Sequence, residues 1–396
     1  MSTIAVLGTY DSKGHELDFV AHQIAARGHV PLRIDVGTLE PPVVTPDVPR
    51  EAILDFSVVS DRSDRGACVA AMAAAVPGFL AKLVADGKIQ GVISLGGGGG
   101  TAIGTAAMRA LPVGFPKVMV STLASGNTAP YVGTTDIVMF PSIVDVAGLN
   151  RVSRLLFTRA AGAICGMVEA PVAVEEARPL VVASMFGNTT TCVNAAKELL
   201  EQDGLEVLVF HATGTGGRTM EAMIGSGMVA GVLDVTTTEW ADELVGGILG
   251  AGPDRLEAAG KLGVPAVVAP GCLDMVNFGE PSTVPERFAG RTFYHHNPQV
   301  TLMRTNPAEC ADLGRILAEK VNAYTGPVTV LLPRRGVSVI SAEGGPFHDP
   351  DADAALFEAI RSRLSPRIPL RELDCTINDP EFARACVEAL LSQMRR

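Results

Sequence analysis

The chain has 396 residues, a formal net charge of −11, 47% hydrophobic and 19% charged residues, with aromatics at 5% and a single Trp. That length holds two or three domains with sizeable cores, and the acidic balance argues against a nucleic-acid partner, which needs a basic field and stacking surfaces. The seven cysteines (Cys68, Cys165, Cys192, Cys272, Cys310, Cys375 and Cys386) are scattered without a CxxC pair, which excludes a zinc ribbon or thioredoxin-like motif and fits a reducing, cytoplasmic setting.

The amino end, MSTIAVLGTYDSKG, enters a strand directly, so no signal peptide is expected, and no uninterrupted apolar run has the length of a bilayer span. Ile4 to Leu7 reads as a strand, followed by a helix that stops near Gly28 and a second strand from Val30 to Val36. This βαβ opening predicts a parallel sheet with right-handed crossovers. Pro41 to Pro49 is too rich in proline for a helix, and Asp64 to Ala85 reads as one or two helices interrupted near Pro77-Gly78. Further strands are expected at Lys117 to Val120 and Ile137 to Phe140, then a long helical run from Val144 to about Met167.

Glu169 to Pro179 reads as a linker, dividing residues 1–174 from 175–396. Beyond it the pattern restarts, with strands at Val181 to Ser184, Leu205 to Phe210, Gly231 to Val235, Ala266 to Ala269 and Leu331 to Leu332. The close of the chain reads as a helix from Asp351 to Leu364, a last strand from Glu372 to Ile377 and a helix from Pro380 to Met394. IAVLGTYDSKGHEL, GVISLGGGGGTAIG and FPKVMVSTLASG have counterparts, in the same order, in VVASMFGNTTTCVN, GVLDVTTTEWADEL and VPAVVAPGCLDM. The expected architecture is therefore α/β: two Rossmann-like, doubly wound lobes with mostly parallel sheets and an interlobe cleft.

In such sheets ligands sit beyond the carboxyl ends of the strands, where the strand order reverses. The stretch GVISLGGGGGTAIG puts Gly96, Gly97, Gly98, Gly99, Gly100 and Thr101 at one such end, between an apolar strand and a helix start. Glycine permits φ > 0 and lets a ligand approach without meeting a Cβ, so this turn is a candidate anion nest for phosphate. It matches neither the Walker pattern nor a secure GxGxxG. Thr9 and Lys13 lie at the first strand's end, positioned to reach a phosphate, and Asp11 is either a helix cap or a magnesium ligand. Ser121, Thr122, Ser125 and Gly126 form a third loop suited to ribose or phosphate.

Gly214, Gly216 and Gly217, with Arg218 and Glu221 behind them, form a second candidate nest, because a cation in a helix's first turn is misplaced without an anion nearby. His295 and His296 are candidates for acid–base work, with Glu239 or Asp274 as a second acid, and a metal would draw on Glu239, Asp274 or Glu343.

GTYDSKGHEL, SLGGGGGT, VDVAGLNRVSR, GTGGRTMEAM, HHNPQVTLMRTNPAE and GVSVISAEGGPFHDPDADAALFEAI together resemble the Tm-one-like ATP-binding domain family, the domain at the amino end of a plant tobamovirus-resistance protein. The resemblance runs in order over essentially the whole chain. It implies two Rossmann-like subdomains, ATP as ligand and a tendency to form homodimers. It makes Thr9, Asp11, Lys13 and Gly96 to Thr101 the expected nucleotide contacts, with His15-Glu16 at the usual polar position after the first loop. The family implies no catalytic residue, and the plant protein's further barrel domain has no expected counterpart.

Two readings follow. The first is a nucleotide-binding protein that holds ATP, accompanied by Mg²⁺, on the five-glycine nest with Lys13. The second is an enzyme acting on a small acidic metabolite in the interlobe cleft, with His295 or His296 as general base and Arg218 as carboxylate anchor.

Overall fold

The first strand, β1 (Thr3–Gly8), sends Ile4 and Val6 to one core layer and Ala5 and Leu7 to the other. A strand apolar on both sides must be covered on both, which is the situation of a parallel sheet between helices. The computed structural model, which describes residues 1–59, 61–171 and 178–395, builds that arrangement twice, in units Met1–Val174 and Glu175–Arg396. Residues 172–177 of the expected linker lie outside the described residues.

In the first unit β1 is followed by α1 (Tyr10–Ala25), β2 (Val30–Asp35), α2 (Arg65–Ala85), β3 (Gly91–Gly96), α3 (Gly98–Arg109), β4 (Lys117–Ser121), the short α4 (Ala129–Val132), β5 (Val138–Pro141) and α5 (Arg151–Glu169). All strand pairs are parallel, in the order β2-β1-β3-β4-β5. Helices α1 and α5 supply Leu17, Val20, Phe157 and Ile164 to one core layer, and α2 and α3 supply Met72, Val76, Leu80 and Ile103 to the other.

Two helices depart from expectation. α2 is one helix that runs through Pro77, where two were possible. Its buried residues Cys68, Met72, Val76 and Leu80 recur every fourth position, and packing that face offsets the roughly 3 kcal/mol a mid-helix proline costs. By length and apolarity α2 is also long enough to cross a membrane, despite the lack of any expected span. α5 begins at Arg151 and not near Val144, because Asn150 forms a capping box, its Oδ1 accepting from the Val152 and Ser153 amides.

The second unit contains β6 (Leu180–Met185), α6 (Thr190–Gln202), β7 (Glu206–His211), α7 (Thr215–Gly225), β8 (Val229–Thr236), α8 (Glu239–Val245), α9 (Ala258–Leu262) and β9 (Ala266–Gly271). Next come β10 (Met275–Phe278), β11 (Phe293–Asn297), β12 (Val300–Arg304), α10 (Pro307–Asn322), β13 (Val328–Pro333), α11 (Pro350–Arg363), β14 (Leu370–Leu373) and α12 (Pro380–Met394). Its main sheet is parallel, in the order β14-β13-β9-β8-β6-β7, and β10-β12-β11 form a small antiparallel sheet. The last strand ends at Leu373, short of the expected Ile377, whose side chain is buried against α12 residues in a core layer.

The three segment pairs that look alike in sequence occupy equivalent strands. β2-β1-β3-β4 in the first unit and β7-β6-β8-β9 in the second have the same winding.

Candidate functional site

In the first unit the chain leaves β1 toward β2 on one side and returns to β3 on the other. The order therefore reverses between β1 and β3, and a crevice opens beyond their carboxyl ends. A cavity of about 370 Å³ lies there, lined by Thr9, Asp11, Ser12 and Lys13 after β1 and by Thr38, Leu39 and Glu40 after β2. Gly96 to Gly100 and Ile103 line it after β3, Arg65 and Val69 from α2, and Asp145 from the loop before α5. The amino-terminal ends of α1, α2 and α3 all contribute, and each carries partial positive charge on amides without intrahelical partners.

The glycine run is not used for left-handed backbone, since none of Gly96 to Gly100 has a positive φ. Gly96 is fixed by packing, because a Cβ there would stand 2.8 Å from the Gly100 Cα. The next three are different. A Cβ on Gly97 would come no closer than 3.8 Å to Thr122 Oγ1, one on Gly99 no closer than 3.7 Å to Val69 Cγ2, and one on Gly98 meets nothing within 4 Å. Among the described residues, no contact requires glycine there. Three side chains would project from the first turn of α3, whose cap, Gly97, has no side chain to satisfy the amides.

Asp11 lines the cavity but is not a helix cap. Its Oδ2 accepts from the Leu39 amide at 3.1 Å, Arg50 Nη1 stands 4.0 Å away, and the side chain is 7% exposed. Beside it, Asp35 Oδ1 accepts from the Tyr10 and Gly37 amides, and a Cβ on Gly37 would press on both carboxylates. Asp11 thus fixes the loop that brings Thr38, Leu39 and Glu40 to the wall. Glu16 does the same for the loop carrying Asp145, accepting from the Gly148 amide at 2.5 Å. Lys13 sits at a kink in α1 (φ −128°, ψ 19°) and lines the cavity without an ion pair among the described residues.

Thr101 and Ser121 are not among the lining residues. Their hydroxyls bond to each other at 2.7 Å, fully buried, and tie α3 to the end of β4. Thr122, Ser125 and Gly126 are not among the lining residues. Sequence reasoning missed Arg65, Glu40 and Asp145. The one signal was Arg65 directly after a capping Asp64, a cation where a helix disfavours one.

The second unit's nest is real but already filled. Glu239 Oε1 accepts from the Gly214 amide at 2.7 Å and the Gly217 amide at 3.0 Å, and a Cβ on Gly217 would stand 2.1 Å from Glu239 Oε2. Behind it Arg255, 1% exposed, binds Glu239, Asp234 and Glu221. Glu221 also accepts from the Leu256, Glu257 and Ala258 amides. Arg218 is explained without a ligand, since it donates to the Gly250 carbonyl and Thr215 Oγ1.

Asp274 is fully buried and accepts from Ser338 Oγ at 2.8 Å; burial pushes its carboxyl up to about 6, with Arg304 opposing. His295 and His296 are exposed on β11, and Glu343 pairs with Arg335 at 3.8 Å. The candidate anchor, Arg218, and the candidate acids, Glu239 and Asp274, are therefore each held by the protein's own groups, whereas the two candidate histidines lie exposed on β11. Among the described residues, no three of His, Cys, Asp and Glu are grouped to hold a metal ion.

The chain matches the Uncharacterised protein family (UPF0261) N-terminal domain over residues 2–173 and the C-terminal domain over residues 178–394. A UPF0261 protein of Rhizobium meliloti (strain 1021) is 49% identical over 98% of both chains, and one of Clostridium tetani (strain Massachusetts / E88) is 47% identical over 99% of both. The ToMV resistance protein Tm-1(GCR237) of Solanum lycopersicum is 43% identical over 83% of this chain and 44% of its own. Among solved structures, a UDP-N-acetylglucosamine 2-epimerase from Rickettsia bellii aligns over 99% of this chain and 96% of its own, at 10% identity and a TM-score of 0.23, too low to carry an argument.

Proposed function

The chain belongs to the UPF0261 family, and we infer that it binds a nucleotide, ATP, with the phosphates on the first turn of α3. The observation that carries this reading is the set of three glycines, Gly97, Gly98 and Gly99, that no contact among the described residues requires and that line the cavity at the strand-order reversal. Bare amides at a helix start bind phosphate oxygens by direct donation and by the helix dipole. Lys13, which makes no ion pair among the described residues, adds a positive charge to the same cavity. Glu40 and Asp145 face the same space and supply acceptors for ribose hydroxyls. Asp11 acts indirectly, through the loop it holds. A magnesium ion would enter on the phosphates.

Calorimetric titration of ATP, with and without Mg²⁺, tests the reading on the wild type, Lys13→Ala and His296→Ala. Wild type and His296→Ala bind alike, and Lys13→Ala loses about tenfold or more, the scale of one charge-assisted hydrogen bond. Unchanged affinity in Lys13→Ala removes Lys13 from the site. Loss in His296→Ala instead moves the ligand to the second unit.

A further inference from the structure

We propose that Arg65 is the second phosphate-binding cation of this site and the residue that distinguishes a nucleoside triphosphate from a monophosphate; this rests on the nucleotide reading above. Arg65 opens α2 immediately after its cap, Asp64, whose Oδ1 accepts from the Ala67 amide at 3.1 Å. A guanidinium in a helix's first turn faces the positive end of the dipole and costs stability unless an anion sits beside it. Arg65 shares a helix face with Val69, four residues on, and both line the cavity. The Val69 side chain reaches to 3.7 Å from the Cβ position of Gly99, so the start of α2 stands against the glycine turn.

The neighbouring arginines are already engaged. Arg50 is held by Glu51, the Glu40 carbonyl and Asp11, and Arg62 lies over the Phe56 ring at 4.7 Å. Among the described residues Arg65 makes no ion pair, although it is the cavity's only guanidinium among them. The amides of α3 with Lys13 suffice for one phosphate group. Each further phosphate adds negative charge that those groups do not cover, and a planar fork of donors suits it.

The test is calorimetric titration of adenosine mono-, di- and triphosphate against the full chain as wild type, Arg65→Ala and Arg65→Lys, with melting temperatures recorded without ligand. Arg65→Ala weakens triphosphate binding about ten- to a hundredfold, leaves monophosphate affinity within about twofold, and melts no lower than wild type because an unfavourable helix-end cation is gone. Arg65→Lys falls between. Equal losses for all three nucleotides, or no loss for any, overturn the assignment while leaving the nucleotide reading intact. Failure of the wild type to bind any of the three overturns that reading, and this inference with it.

Discussion

A methyl group added at Gly98 meets nothing within 4 Å, whereas one added at Gly217 would overlap the Glu239 carboxylate. The two glycines look alike in sequence and differ in what fills the space beside them. Gly98→Ala is expected to keep or raise stability, by up to about 1 kcal/mol from reduced unfolded-state freedom, and to weaken ATP binding; Gly98→Val weakens it further. Gly217→Ala is expected to destabilise by about 1–3 kcal/mol or more, the cost of overpacking, here against a buried carboxylate. Denaturation midpoints and titrations on the same samples check both, and a Gly98→Val variant with wild-type affinity would count against an open cradle.

Asp242 offers a pH test. Burial pushes its carboxyl up to about 7, against hydrogen bonds from Asn277 and Leu249 that favour the charged form. Between its unfolded pKa of roughly 4 and about 7 the folded state binds the extra proton. Stability from this group is therefore greatest below that window and falls as pH rises through it. Asp242→Asn cannot titrate, so its stability relative to wild type should improve from pH 5 to pH 8 in urea melts. A constant difference across that range would show that Asp242 stays ionised.

At the scale of elements, the strand ends of the first unit were legible because β1 and β3 are short apolar runs that stop at glycine, and a parallel sheet places such ends together. The five glycines line the cavity at a strand end as expected, but open space and not backbone freedom sets Gly97 to Gly99 apart. Arg65 was harder to read, because its helix follows no strand-end motif and meets the cavity through packing on α3; its one mark was its place directly after the capping Asp64. The nest at Gly214 was read correctly as a nest. Its occupant, Glu239, lies 25 residues from Gly214 and 22 from Gly217, a pairing fixed by the tertiary fold. The cap reading of Asp11 failed for the same reason, its partner Leu39 being 28 residues away. The start of α5 was readable from the Asn150 capping box. Asn150→Ala should cost about 1 kcal/mol and loosen the loop carrying Asp145, measured by denaturation and by hydrogen exchange at residues 142–149. Unchanged exchange there would separate the cap from the site.

At the scale of the whole molecule, the cavity's lining residues and the two core layers beneath it all fall within the first unit. A fragment of residues 1–171 is therefore expected to fold and to bind ATP with close to full-chain affinity, as read by circular dichroism and titration. A folded fragment without affinity would mean that residues beyond it complete the site. The most direct measurement is a crystal structure of the full chain with a non-hydrolysable adenosine triphosphate analogue. Phosphate density within hydrogen-bond reach of the Gly97, Gly98 and Gly99 amides, with Lys13 beside it, is the predicted result; a triphosphate bound elsewhere, with that turn left bare, would contradict it.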